Sequence, residues 1–116
     1  MMREPLEAGE AAAGVVVAGF GALAHETRLG LFRLLVRKGY SGETAGELAR
    51  RVGIPPQTAS FHLKEMLHAQ LVRQWRRGRN VYYAVDFEHL CRLRDYLSAC
   101  CCVEEHPGTV HVRSTP

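Results

Sequence analysis

A chain of 116 residues has room for one domain, which excludes a multidomain architecture, and its core is small enough that a partner subunit is expected to add buried area. The net charge of +3 is uneven, because Ile54 to Val85 carries Lys64, Arg73, Arg76, Arg77 and Arg79 against Glu65 alone. Positive charge gathered in one stretch points to phosphate contacts.

Met1 to Glu10 is polar, with Glu4, Glu7 and Glu10, and reads as a flexible N-terminus ahead of a domain over 11–102; residues 103–116 read as a flexible C-terminal tail. Ala11 to Ala24 is apolar. It is too short to cross a bilayer and follows acidic residues where a signal peptide has a basic region, so neither a span nor a leader is expected. It reads as a first helix with apolar residues on more than one face, buried against its own domain and against a second subunit.

Thr27 to Lys38 forms the second predicted helix, with Leu29, Phe32, Leu35 and Val36 inward and Arg28, Arg33, Arg37 and Lys38 mostly outward. Cations in its last turn suit the negative end of the helix dipole, and Gly39 closes it. His25, between the first two helices, reads as a capping or packing residue.

Ser41 to Val52 is a short amphipathic helix, with Ala45, Leu48, Ala49 and Val52 on one face and Gly53 as its stop. The next helix begins near Pro56, since a proline in the first turn gives up only an N–H that has no intrahelical partner. Ala59, Leu63, Met66 and Leu67, with Gln70, form its core stripe. Gln57, Thr58, Phe61, Glu65 and His68 point the other way, with Ser60, His62 and Lys64 on the flanks. Two short helices joined by a glycine turn make a helix-turn-helix, whose second helix can enter a major groove. Downstream, Leu71 to Arg76 and Asn80 to Val85 are β-prone segments joined by Arg77, Gly78 and Arg79, an arginine-rich hairpin or "wing".

Asp86 is the expected N-cap of the last helix, where Phe87, Leu90, Cys91, Leu93, Tyr96, Leu97 and Cys100 give a broad apolar surface. The first and last helices both carry more apolar surface than one core needs and are expected to form a homodimer interface. A two-fold dimer sets two recognition helices about one DNA turn apart, roughly 34 Å.

At the end of this helix stands Cys100-Cys101-Cys102. Thiols select soft, thiophilic ions, and arsenite and antimonite prefer three sulfur ligands. Neighbouring helical residues point roughly 100° apart, so the three converge only if the helix frays at its end. Cys91 lies about 13.5 Å from Cys100 along an unbroken helix and is expected to be a buried apolar residue. Two other readings of the tail compete: a tetrahedral zinc or cadmium site using Cys102, His106 and His111 with Cys100 or Cys101, and reversible thiol oxidation. An enzyme is not expected, because there is no nucleophile paired with a base, no Gly-rich phosphate loop, no useful carboxylate pair and no Cys-x-x-Cys.

Ser60-Phe61-His62-Leu63-Lys64, then Leu67, Ala69 and Leu71-Val72, then Arg77-Gly78-Arg79 and Tyr82-Tyr83 resemble the winged-helix repressors of the ArsR/SmtB family. His25-Glu26-Thr27-Arg28-Leu29, followed by Leu31 to Leu35, is similar to that family's second helix. The resemblance covers Leu23 to Cys101. It implies a mainly α (α+β) winged helix-turn-helix of about five helices with a two-stranded wing, dimeric through its first and last helices. It further implies a cytoplasmic transcriptional repressor of double-stranded operator DNA bearing an inverted repeat. Gln57, Thr58, Phe61 and His62 would then approach base edges, Ser60 and Lys64 phosphates, and Arg76, Arg77 and Arg79 the backbone or minor groove.

The family's best-known cysteine pair precedes the recognition helix, but Glu43 to Arg50 holds no cysteine. Asp86, Glu88 and His89 suggest the zinc-sensing branch only loosely. Cys100-Cys101 resembles the vicinal pair of the arsenite-sensing branch. No cysteine follows Cys102, so the third ligand is Cys102 itself, or the site is a dithiol suited to a monomethylated arsenical. The expected inducer is trivalent arsenic or antimony, with zinc or cadmium and then redox sensing as alternatives.

Overall fold

A computed structural model describes residues 3–102, with side chains over 13–99. Five helices and one small antiparallel sheet follow each other as α1 (Arg3–Leu23), α2 (Glu26–Lys38), β1 (Glu43–Thr44), α3 (Ala45–Val52), α4 (Pro56–His68), β2 (Val72–Arg77), β3 (Asn80–Val85) and α5 (Phe87–Cys102). α1 reaches back to Arg3, so residues 3–10, read as a flexible extension, form its first turns. Leu6, Glu7, Ala8 and Ala11 are good helix formers, and the acidic residues there suit a helix N-terminus. Among the described residues, no single helix is long and apolar enough to cross a membrane.

His25 caps α2, its Nδ1 accepting from the Thr27 backbone N–H at 3.2 Å. The inward face of α2 differs from the expected one. Leu31, Phe32 and Leu35 are buried, whereas Leu29 and Val36 are exposed and Arg28 is half-buried. α2 packs on α1, α3, α4 and β3, so partners on several sides select among its apolar residues.

Ser41 ends a single 3₁₀ turn, and Glu43–Thr44 then forms a third strand, so the helix expected over Ser41 to Val52 is confined to Ala45–Val52. The sheet order is β1-β3-β2, with Thr44 opposite Tyr82 and Trp75 opposite Tyr82 on the other side. α3 begins one residue later, and the Thr44 hydroxyl accepts from the Glu47 N–H. Gly53 ends α3 with φ of 81° and donates its N–H to the Ala49 carbonyl, a left-handed cap that suits glycine. The β2–β3 hairpin has Arg77 opposite Asn80. Its two-residue turn therefore consists of Gly78 and Arg79, with the positive φ of 66° on Gly78, as the strand twist demands of a tight hairpin.

Leu31, Leu35, Leu48, Leu63, Met66, Leu71, Val85 and Leu93 are fully buried and draw on α2, α3, α4, the sheet and α5. The winged helix-turn-helix is thus built around one core, and α4 crosses it with a single face inward.

Candidate nucleic-acid interface

α4 starts at Pro56, with no side chain capping it and no acid in its first turn. The positive end of its dipole is therefore open to an anion. Gln57, Thr58, Phe61 and Lys64 are exposed, and Ser60 is half-buried beside them. Phe61 keeps 55% of its surface in solvent, a large apolar ring in a polar row. Pro56, Gln57, Ser60, Phe61 and Lys64 line one shallow groove along the outer side of the helix.

His62 departs from the expectation that it approaches base edges. It is 7% exposed, its Nδ1 accepts from Arg28 Nε at 3.1 Å, and its ring centroid lies 4.7 Å from that of His25. The reason is helical phase: 59, 62, 63 and 66 are spaced three, one and three apart, the full width of a buried stripe. Burial, then the nearby His25 and Arg28, hold its pKa below the ordinary imidazole value.

The wing supplies the remaining charge. Arg73, Arg76, Arg77 and Arg79 are all exposed. Among the described residues, the ion pairs are Lys38–Glu43, Arg50–Glu47, Arg51–Glu47 and Arg94–Asp95, so the wing arginines and Lys64 keep their charge uncompensated by direct pairing. By contrast, the α3 arginines are paired: Arg50 and Arg51 share Glu47, and their hydrogen bonds hold the Glu47 carboxyl below its usual range. Trp75 and Tyr82 stack across the hairpin at 5.9 Å. The Arg73 guanidinium lies 4.9 Å over Trp75 and that of Arg77 5.7 Å over Tyr82. These aromatic supports escaped the sequence reading, although their cross-strand register is the signal that would have paired them.

In α5 the backbone is helical through Cys102. The side chains of Cys100, Cys101 and Cys102, and the whole of 103–116 with His106 and His111, lie outside the described residues. Cys91 is exposed, against the expectation of burial, because α5 turns His89 and Leu93 inward instead. Asp86 caps α5 as expected, its Oδ1 accepting from the His89 N–H at 3.0 Å. His89 is 3% exposed, and its Nε2 has no partner among the described residues. No group of three or more potential metal ligands occurs among the described residues.

Comparison with known proteins agrees with this geometry. Residues 23–74 match a family described as "Helix-turn-helix domain". The chain is 35% identical over 79 residues to the HTH-type transcriptional regulator KmtR of Mycobacterium tuberculosis, across 68% of this chain and 58% of that protein. Another curated relative, the HTH-type transcriptional regulator YdfF of Bacillus subtilis, shares 54% identity over 39 residues, 34% of this chain. The chain thus spans 58% and 17% of the lengths of these two curated relatives. Among solved structures, the AntR antimony-specific transcriptional repressor is 36% identical, with a TM-score of 0.60 over 78% of this chain and 80% of AntR. The homodimeric winged helix-turn-helix DNA-binding domain of a possible ArsR-family regulator from Mycobacterium bovis is 27% identical. It superposes with a TM-score of 0.65 over 84% of this chain and 90% of its own. Helix order, wing and these likenesses agree: the chain belongs to the ArsR/SmtB family of winged-helix regulators.

Proposed function

We propose that the protein is a homodimeric transcriptional repressor that leaves its operator when trivalent arsenic or antimony is captured by Cys100, Cys101 and Cys102. The observation that carries the DNA half of this reading is the joint exposure of the open α4 N-terminus, the Gln57-Thr58-Phe61-Lys64 row and the unpaired wing arginines. Gln57 suits adenine and Phe61 a thymine methyl, so half-sites containing A·T pairs are favoured. Ser60 and Lys64 take phosphates, and Arg76, Arg77 and Arg79 take the backbone or the minor groove beside it. Val15, Val17 and Phe20 on α1 and Leu97 on α5 are exposed apolar residues, which supports pairing of two copies through those helices.

The inducer half rests on donor chemistry. Three thiols in a row fit a thiophilic ion, and the similarity to AntR, an antimony-specific repressor by name, supports that class. Because the backbone is helical through Cys102, bringing three neighbouring thiols together requires the last turn of α5 to open. Opening it disturbs the helix that joins the two copies, and a difference of a few kcal/mol between the two arrangements suffices to empty the operator.

Fluorescence anisotropy on DNA from the protein's own promoter tests both halves. Neutralising roughly six to ten phosphates predicts a fall in affinity of about 10³ to 10⁵ between 50 and 200 mM salt, and a flat salt response contradicts DNA reading. Under reducing conditions, arsenite, methylarsenite or antimonite is expected to release the wild type but not Cys100→Ser or Cys101→Ser. Release by cadmium or zinc alone replaces the inducer with a borderline-soft divalent ion and leaves the DNA half standing.

A further inference from the structure

His62 lies on the helix assigned to DNA reading but faces away from the reading surface, and its nearest polar partner comes from another helix. Arg28 Nε donates to His62 Nδ1 at 3.1 Å, and Arg28 Nη1 reaches the Ala22 carbonyl near the end of α1 at 3.5 Å. One half-buried guanidinium therefore ties together the end of α1, the start of α2 and the middle of α4. The His25 ring packs against that of His62, tilted by 53° with centroids 4.7 Å apart, and His25 Nδ1 accepts from the Thr27 N–H to cap α2. Both imidazoles thus hold their neighbours through an unprotonated Nδ1, which assigns the ring proton of each to Nε2.

We infer that Arg28 and His62 form a proton-sensitive clamp that sets the angle of α4 on the core, with His25 as its second, weaker joint. This rests on α4 being the DNA-reading helix. A proton on His62 Nδ1 turns an acceptor into a donor, leaves Arg28 Nε without its partner, and places two cations side by side at a part-buried site. Among the described residues, the charged or titratable groups that act on the ring are His25 at the cap of α2, Arg28 from α2 and Glu65 from α4 itself. Glu65 favours the proton, and burial, His25 and Arg28 oppose it. The direction follows. A histidine whose folded-state pKa is lowered is neutral when folded at pH 7. The clamp is complete above the ordinary imidazole value of about 6.5 and is lost as pH falls below it, through the lowered folded-state pKa.

Arg28 and His62 are on this account positioning residues that act through α4 without touching DNA. Two readouts on the full-length protein decide it. Two-dimensional ¹H–¹⁵N NMR of the wild type is expected to show a protected Arg28 side-chain Nε–H at pH 7.5 that disappears as the His62 ring titrates. This measurement needs no DNA. In the second, operator affinity of the wild type falls about ten-fold between pH 7.5 and one pH unit below the His62 midpoint that the NMR reads, whereas His62→Gln, which keeps an acceptor but has no proton to gain, falls less than about three-fold over the same range. Circular dichroism checks that the variant folds, and the wild-type NMR stands if it does not. Persistence of the Arg28 Nε–H signal through the His62 titration overturns the clamp, as does a wild-type pH profile in folded His62→Gln. Absence of DNA binding at every pH refutes the DNA-reading assignment instead, and the NMR still decides the clamp.

Discussion

Gly42 marks where single residues decide this fold. Its φ is 67°, and a Cβ placed there would meet Trp75 Cη2 at 2.8 Å and collide with the Tyr83 carbonyl oxygen. Glycine therefore serves twice, by adopting a left-handed conformation and by letting the start of β1 approach β3. Gly42→Ala is expected to cost about 2–4 kcal/mol, from left-handed strain plus overpacking, measured as a shift in the urea midpoint at unchanged slope. A loss below about 0.5 kcal/mol would show that the strand is free to move away. The histidines show the same dependence on detail. His25 was readable as a capping or packing residue, and the structure shows it doing both. His62 was not, because its neighbours in sequence are as polar as they are apolar, and only the full 59-62-63-66 stripe of α4 places it inside.

Elements respond to pairing as well as to pattern. The two long strands were legible from their β-prone residues and the Gly-containing turn, and the structure adds the register. Arg77 pairs with Asn80 and shares a face with Trp75 and Tyr82, whereas Arg76 pairs with Val81 on the opposite face. Their guanidiniums are consequently not equivalent, since that of Arg77 is held over the Tyr82 ring. Holding a flexible cation in advance of binding reduces the ordering cost at the interface. Arg77→Ala is expected to weaken operator binding by about 1 kcal/mol more than Arg76→Ala, with the salt slope falling by about one for a lost phosphate contact. Titration of both variants in parallel checks the order, and equal losses would mean that the aromatic support contributes nothing. β1 lay below the reach of periodicity because two residues cannot show an alternation. Its existence depends on β3 offering a free edge, and Thr44 then serves both as the last strand residue and as the cap of α3.

α1 and α5 pack on each other while keeping Val17 68% and Leu97 49% exposed, so one copy leaves apolar surface on α1 and on α5, the helix that carries the thiols. Phe20, at 37% exposure, sits on the same helix as Val17 and is accessible enough to change without emptying the core. Phe20→Glu is expected to shift sedimentation from dimer to monomer and to lower operator affinity by about ten-fold or more, since two linked half-site contacts become one. A variant that remains dimeric would place the interface elsewhere.

Sequence alone determined the helix order, the proline start of α4, the glycine stop of α3, the capping role of Asp86 and the concentration of arginine in the wing. Each of these follows from backbone chemistry acting over a few residues. Tertiary structure decided which face of α2 is buried, that His62 turns inward onto Arg28, that Cys91 faces out, that a third strand completes the sheet and that aromatic rings support Arg73 and Arg77. Those outcomes depend on which partner approaches from across the fold, and an apolar or amphipathic side chain does not carry that information in its own neighbourhood.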